Sequence, residues 1–289
     1  LAAGDPYYAA FVRYRLAQAY FKLKEIKAAG DNFTEGIDLL AAAPMEPQVQ
    51  RLLVRMHIGL AALRIQNQSG AVGAKASLDE AQRLLEILQN PAPGTTSRRR
   101  GGDLDDLRAQ VASAWASYWQ ILGNLEQAIV HANTAWQTVR GMIPREPRFA
   151  AALNLATLLI MTQDPARVAQ ANDPLAEAEK TADKLGHSEW RAKCWLTRGT
   201  SYYYTGEMAL AVSAYLDAYK IFVDLDDRDS LFDTCYNLAD AYAKLAQCEE
   251  ARRYHQIAAT LAKGSEAAGL QQALADLARE YPKCLVPED

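Results

Sequence analysis

The sequence predicts an all-α fold, an α-solenoid of stacked antiparallel helix hairpins, and three observations carry that prediction. A spacing recurs without gaps: Gly199, Tyr202, Gly206, Ala211, Tyr215 and Ala218 are followed forty residues later by Ala239, Tyr242, Ala246, Ala251, His255 and Ala258. Self-similarity at a fixed period of this size marks one supersecondary unit repeated. The same offsets occur upstream, at Ala17, Tyr20, Ala29, Phe33 and Gly36, and again at Ala116, Trp119, Gly123, Ala128, Ala132 and Ala135. Finally, nearly every window has apolar residues at i, i+3, i+4 and i+7, whereas few alternate with period two.

The spacing has a steric reason. Two antiparallel helices approach closely where residues such as Gly199 and Ala211 are small, and Tyr202 and Tyr215 fill the space beside them. In chain order, the first hairpin is expected from about Tyr7 to Leu40, stopping before Pro44 and Pro47, which cannot continue a helix. A helix from about Gln48 to Ile65 is apolar on most faces and reads as deeply sandwiched. The segment Asn67 to Ala76 reads as a long turn before a helix Ser77 to Leu88, with Ser77 as N-cap and Glu80 as its capping-box partner. Asn90 to Asp103, with two prolines, glycines and the triplet Arg98, Arg99 and Arg100, is the most loop-like stretch and is expected to be mobile.

A clean hairpin is expected from Leu104 to Val139, closed by Gly141 and Pro144. The fourth copy begins near Arg148 and then departs from the pattern. Asp164-Pro165 and Asp173-Pro174 are each a cap followed by a first-turn proline, which predicts a short extra helix and leaves the register of the second helix open. Two well-registered copies follow. Ser265 to Tyr281 then places Leu270, Leu274, Leu277 and Tyr281 against Gln271, Gln272, Asp276, Arg279 and Glu280, the pattern of a terminal capping helix with a polar outer face.

With these residues in place the chain resembles the tetratricopeptide repeat family, over nearly its whole length. That family places a small residue at the eighth position of its unit, an aromatic at the eleventh, and small, aromatic, small at twenty, twenty-four and twenty-seven. Its unit is about thirty-four residues. The forty-residue period here therefore implies longer helices or linkers, as at Val223 to Asp229 and Lys180 to His187, and is similar to the kinesin light chain type and to the sensor solenoids of bacterial signal-transduction NTPases and maltose-activator-like regulators. The resemblance implies a right-handed solenoid of about six repeats and a capping helix, forming one domain over residues 1–289. It also implies that the chain holds a partner rather than transforming a substrate. The first residue is Leu1 and not methionine, which reads as a fragment or processed chain of a larger protein.

Half of the 289 residues are apolar, ample for a core, yet no run is long enough for a membrane span. The net charge of −4 is spread along the chain, against the sustained basic face that nucleic acid requires. Cys194, Cys235, Cys248 and Cys284 lack the close pairing of a zinc site or a small disulfide framework and read as reduced, buried groups, which points to a cytoplasmic setting. His57, His131, His187 and His255 fall in four different repeats with no metal motif, and His255, at a position where the family prefers an aromatic, reads as a packed ring. Asp105-Asp106, Asp226-Asp227 and Glu249-Glu250 sit at helix starts or linkers, where the helix dipole favours them. Trp115, Trp119 and Trp136 have helical core spacing, and Gly101-Gly102 lacks the lysine of a phosphate loop, so no cofactor, metal or catalytic residue is expected.

In a stack of such hairpins the first helix of each pair lines the groove. In the two best-registered copies its outward residues are Lys193, Leu196, Thr197, Thr200, Tyr203 and Tyr204, then Asp233, Tyr236, Asn237, Asp240, Ala243 and Lys244. Tyrosines give rigid contact area and Asn237 can pair both N–H and C=O of a ligand backbone, a set that suits a peptide or protein segment. Asn154 holds the matching position of the fourth copy. These residues either meet a ligand or only bridge neighbouring helices, and Tyr203 and Tyr204 can serve packing between repeats. Arg198 stands where the family has an apolar residue, and a buried ion pair is expected there. The chaperone-tail subgroup uses basic residues and asparagines as a carboxylate clamp; the acidic Asp233 and Asp240 argue against such a ligand. The leading expectation is a non-catalytic peptide- or protein-binding scaffold. The alternatives are the ligand- or peptide-sensing module of a transcription regulator or signalling NTPase, including a quorum-peptide receptor, and an α/α enzyme, for which no acid–base constellation is present.

Overall fold

The computed structural model describes residues 5–66, 70–90, 101–263 and 268–286. They form two compact units that divide the chain between Ile143 and Pro144. All regular structure among the described residues is helical, and the helices pack as the antiparallel hairpins that the spacing predicts.

In the first unit α1 (Pro6–Lys22) pairs with α2 (Ile26–Leu40), α3 (Pro47–Gln66) with α4 (Ala71–Gln89), and α5 (Gly101–Ile121) with α6 (Leu125–Val139). The starts are chemically marked. The Asp5 carboxylate accepts from Tyr7 N–H at 2.9 Å ahead of Pro6, and the Asn124 side chain accepts from Gln127 N–H at 3.1 Å. Phe33, Leu40, Met56, Leu84 and Leu107 form the main core. Two expectations need correction. Helix α4 starts at Ala71, so Ser77 lies inside it and caps nothing. Its hydroxyl instead accepts from Arg64 Nη1 at 2.7 Å, while Glu80 pairs with Arg83. The expected loop near 90–103 is helical from Gly101 onward; residues 91–100, with the arginine triplet, lie outside the described residues.

In the second unit α7 (Glu146–Met161) pairs with α9 (Asn172–Leu185), α10 (Ser188–Tyr204) with α11 (Met208–Leu225), and α12 (Arg228–Lys244) with α13 (Cys248–Ala262). The extra helix that Asp164-Pro165 predicts is α8 (Pro165–Gln170), and Asp164 caps it by accepting from Ala166 N–H at 3.0 Å. Helix α14 (Ala268–Glu280) buries Leu274 and Leu277 and leaves Gln271, Gln272, Asp276, Arg279 and Glu280 exposed, as a capping helix should. A last turn, α15 (Pro282–Leu285), folds back on α13.

Small fits large as the spacing requires. A Cβ on Gly199 would lie 2.4 Å from Tyr215 Cδ1, so the fully buried tyrosine ring can sit there only because position 199 has no side chain. The turn is equally regular. Seven residues beyond the small residues Ala17, Ala116, Ala156, Gly199 and Ala239, the chain takes positive φ at Lys24 (61°), Gly123 (73°), Gln163 (56°), Gly206 (84°) and Ala246 (57°). Ending a helix in the left-handed region closes it by turning the next amides onto its last carbonyls. That recurrence also fixes Ala156 as the small residue of the fourth copy.

The expected ion pair at Arg198 is present: Nη2 meets Glu179 at 3.0 Å and Nη1 donates to Asn172 Oδ1 at 2.9 Å. The cysteines require a correction. Cys194 and Cys235 are free and buried, and burial pushes each thiol up to about 12. Cys248 and Cys284, in contrast, form a disulfide that ties α15 to the start of α13. They are 36 residues apart in sequence, and only the reversal of the chain through α14 and α15 brings their Cα atoms to 4.5 Å. The inference of a reducing compartment from four free thiols therefore falls away.

Candidate functional site

The second unit contains a cavity of about 690 Å³ on the face built by the first helices of its three hairpins. Helix α7 and the turn after it supply Thr157, Ile160, Met161 and Gln163; α10 supplies Leu196, Thr197, Thr200 and Tyr204; α12 supplies Phe232, Asp233, Tyr236 and Asn237; α14 closes the end with Leu270 and Ala273. Steps of three and four residues along α10 and α12 keep these side chains on one helix face. The volume is within the range of ligand clefts, and the wall is apolar with a few polar groups set into it.

The polar groups differ in how far they are already engaged. Thr157, Thr197 and Thr200 each donate to the carbonyl four residues earlier in their own helix, at 2.9–3.0 Å, which leaves their oxygens as acceptors. Thr200 also accepts from Tyr215 Oη at 3.2 Å, and Tyr204 Oη accepts from Gln163 Nε2 at 3.2 Å. The Asn237 amide and the Asp233 carboxylate line the cavity with no hydrogen bond or ion pair among the described residues. Although Asp233 is exposed, partial desolvation by the cavity wall pushes its carboxyl up from its ordinary value, and Asp229 and Asp227 push it the same way.

Of the residues singled out from sequence, the cavity brings together Thr197, Thr200, Tyr204, Tyr236 and Asn237, along with Leu196 and Asp233. The others stand apart from it. Tyr203 Oη donates to Asp240 Oδ2 at 2.6 Å, and Lys244 Nζ lies 4.0 Å from the centre of the Tyr203 ring. Burial raises the Tyr203 phenol, and the Asp240 hydrogen bond adds to that. Tyr281, just beyond α14, is raised by burial and then by Asp240, so these residues form a polar contact between α10, α12 and the C-terminal segment. Lys193 pairs with Glu189 at 2.6 Å, and Asn154 is on α7 but not in the cavity wall. Ala243 is buried.

The α7 wall was legible in principle. Aligning Ala156 with Gly199 matches Thr157 to Thr200 and Met161 to Tyr204, but the irregular α8 hides that register. Leu270 and Ala273 belong to no repeat, so the period gives no signal for them.

The histidines are engaged in packing. His131 stacks on Trp115 with ring centres 5.9 Å apart, His187 stacks on Trp190 at 4.3 Å, and His255 Nε2 is 3.2 Å from the Leu274 carbonyl oxygen. Burial is the largest influence on His57 and His131 and lowers both. Trp115 and Trp119 stack together at 6.5 Å, and Trp136 is buried beneath Arg140. Among the described residues no group of three or more His, Cys, Asp or Glu side chains is placed to hold a metal ion. No helix among them is long and apolar enough to cross a membrane.

No protein-family model and no curated protein matches the sequence. Solved structures do match. A Rap protein complexed with competence and sporulation factor is similar with a TM-score of 0.64 at 13% identity, over 94% of this chain and 82% of that one. A signal transduction ATPase with numerous domains and a tetratricopeptide repeat sensor, from Pyrococcus horikoshii, gives 0.63 at 12% identity, over 94% of this chain and 39% of that one. BtubC from P. vanneervenii gives 0.56 at 17% identity, over 99% and 95%. At such identities the likeness concerns the fold: the chain has the tetratricopeptide-repeat type of α-solenoid.

Proposed function

We propose that the second unit is a non-catalytic binding module that holds a peptide or protein segment in the cavity along α7, α10, α12 and α14. The observation that carries this reading is the Asn237 amide, which opens into the cavity without an intramolecular partner. The amide is half-buried, with its donor and its acceptor both open to the cavity, and a ligand backbone satisfies the two together. The threonine oxygens of α7 and α10 add acceptors along the same wall, and Leu196, Ile160, Leu270 and Phe232 offer apolar area between them. The Rap neighbour, crystallised with competence and sporulation factor, is a case of this fold engaging a partner.

A narrower reading, a sensing segment of a larger regulator, is favoured by the Pyrococcus horikoshii neighbour, whose tetratricopeptide repeats are its sensor. In that case ligand binding would shift an equilibrium in other domains.

Selection of a random heptapeptide library on the immobilised chain tests the binding reading. Enriched peptides, labelled with fluorescein, are expected to bind with an affinity that Asn237→Ala and the cavity-filling Ala273→Trp each reduce by about tenfold, the scale of one lost charge-free anchor plus steric exclusion. The thermal melts of both variants should stay near that of the parent. Equal binding by folded variants would sink the groove as the site.

A further inference from the structure

Among the described residues the cavity wall has one acidic side chain, Asp233, and it is unpaired. The other described lining residues are aliphatic, aromatic, thioether, hydroxyl or amide. No lysine, arginine or histidine among the described residues reaches that carboxylate, while Asp229 and Asp227 lie near it. Asp233 is solvent-exposed where it lines the cavity, so its want of a partner carries little cost; what it offers a ligand is attraction for a cation, to which the neighbouring acids add.

The neighbours of Asp233 on α12 specify the shape of that cation. Phe232 and Tyr236 flank it in sequence, their rings lie at 26° with centres 6.3 Å apart, and both line the same cavity. A carboxylate beside two aromatic rings suits a guanidinium or ammonium group, which pairs with the acid and lies against a ring face. Across the cavity Leu270 and Ala273 are apolar, and Asn237 is one turn along the helix from Asp233. A charge, an amide and an apolar wall in that order match a short peptide, with a basic side chain at Asp233, its backbone at Asn237 and an adjacent apolar residue against α14.

We infer that the cavity selects a peptide segment carrying one arginine or lysine side chain, seated against Asp233 between Phe232 and Tyr236, with an apolar neighbour in contact with α14. This rests on the groove reading and adds the class of ligand. Electrostatic complementarity of this kind governs which partner is accepted more than how tightly any partner binds.

The same heptapeptide library tests it, selected in parallel on the full chain, on Asp233→Asn and on the charge-reversed Asp233→Lys. Peptides enriched on the parent should share one arginine or lysine at a fixed distance from an apolar residue. Exchanging that residue for glutamine should weaken binding to the parent by about tenfold or more, the scale of a lost charge-assisted contact, and should leave binding to Asp233→Asn within about twofold. Asp233→Lys should enrich aspartate or glutamate at the same position. Enriched peptides that lose affinity with Asn237→Ala but show no basic residue, or the same motif on Asp233→Lys, would overturn the cation assignment and leave the groove standing. No enrichment on any of the three proteins would overturn both. Displacement of labelled peptide by agmatine, a guanidinium without a peptide, as effectively as by unlabelled peptide would overturn the assignment to a peptide.

Discussion

The hairpins α10–α11 and α12–α13 share one register and solve the same packing problem with different side chains. At the close approach of the helices, the first has Gly199 beneath the fully buried Tyr215 ring; the second has Ala239 with His255, whose Nε2 reaches the Leu274 carbonyl on α14. One position before the small residue, the first has Arg198 paired with Glu179, and the second has the fully buried Leu238. At the turn, the first has Gly206 and the second Ala246, both at positive φ. The repeat thus conserves geometry and lets volume, charge and backbone chemistry vary in compensating pairs. A residue that looks irregular against the pattern, such as Arg198, is explained by what faces it rather than by its place in the period.

The strongest way to break this comparison is to remove the large partner. Tyr215→Ala empties a fully buried site and is expected to destabilise the chain by about 3–5 kcal/mol in chemical denaturation, whereas His255→Ala, at a half-buried position, should lose far less. Equal losses would mean that the two positions are not equivalent in register.

Next in size is the small partner. Gly199→Leu overpacks against Tyr215 and should lower stability by about 1–3 kcal/mol. A sharper version imports the neighbouring solution: Gly199→Ala with Tyr215→His should be more stable than the sum of the two single variants by about 1 kcal/mol, measured as a double-mutant cycle. Strict additivity would show that the two side chains do not limit each other.

The ion pair offers a subtler comparison. Arg198→Leu alone gives α10 the residue that α12 has, but strands Glu179, and should cost about 1–3 kcal/mol. Adding Glu179→Met should recover most of that loss, since apolar substitutes for a partly buried pair are tolerated when both charges go. A double variant as unstable as the single one would assign the effect to packing rather than charge.

The smallest effect concerns the turn. Ala246→Gly relieves the left-handed backbone of a side chain and should raise stability by about 1 kcal/mol, seen as a higher urea midpoint at unchanged slope; Gly206→Ala should move it the other way by a similar amount. A loss on Ala246→Gly would show that its methyl packs in a way the turn geometry does not reveal.

The repeat itself was legible in the sequence. Gly199, Ala211, Tyr215 and their forty-residue echoes are close neighbours through i, i+3 and i+4 steps and one fixed turn, so their packing follows from local geometry that recurs each time the spacing does. The helix start at Asp164 was equally local, since its carboxylate satisfies an amide two residues away. Ser77 failed as a cap because Gly70 and Ala71 already start α4 upstream, and Arg64 claims its hydroxyl across the hairpin.

What only the tertiary structure decided lies where the period stops. The groove face was foreseeable along α10 and α12, but whether a residue on it opens to the cavity or is consumed internally depends on what packs opposite. Tyr203, Asp240 and Lys244 are engaged with one another, and Asp233 and Asn237 are not. The wall from Leu270 and Ala273 and the bond between Cys248 and Cys284 both follow from how α14 and α15 fold back, outside any repeat. A periodic sequence specifies contacts between neighbours at fixed spacing. Contacts made by a non-repeating end are long-range, and their partners are set by the position of the whole stack rather than by any local pattern.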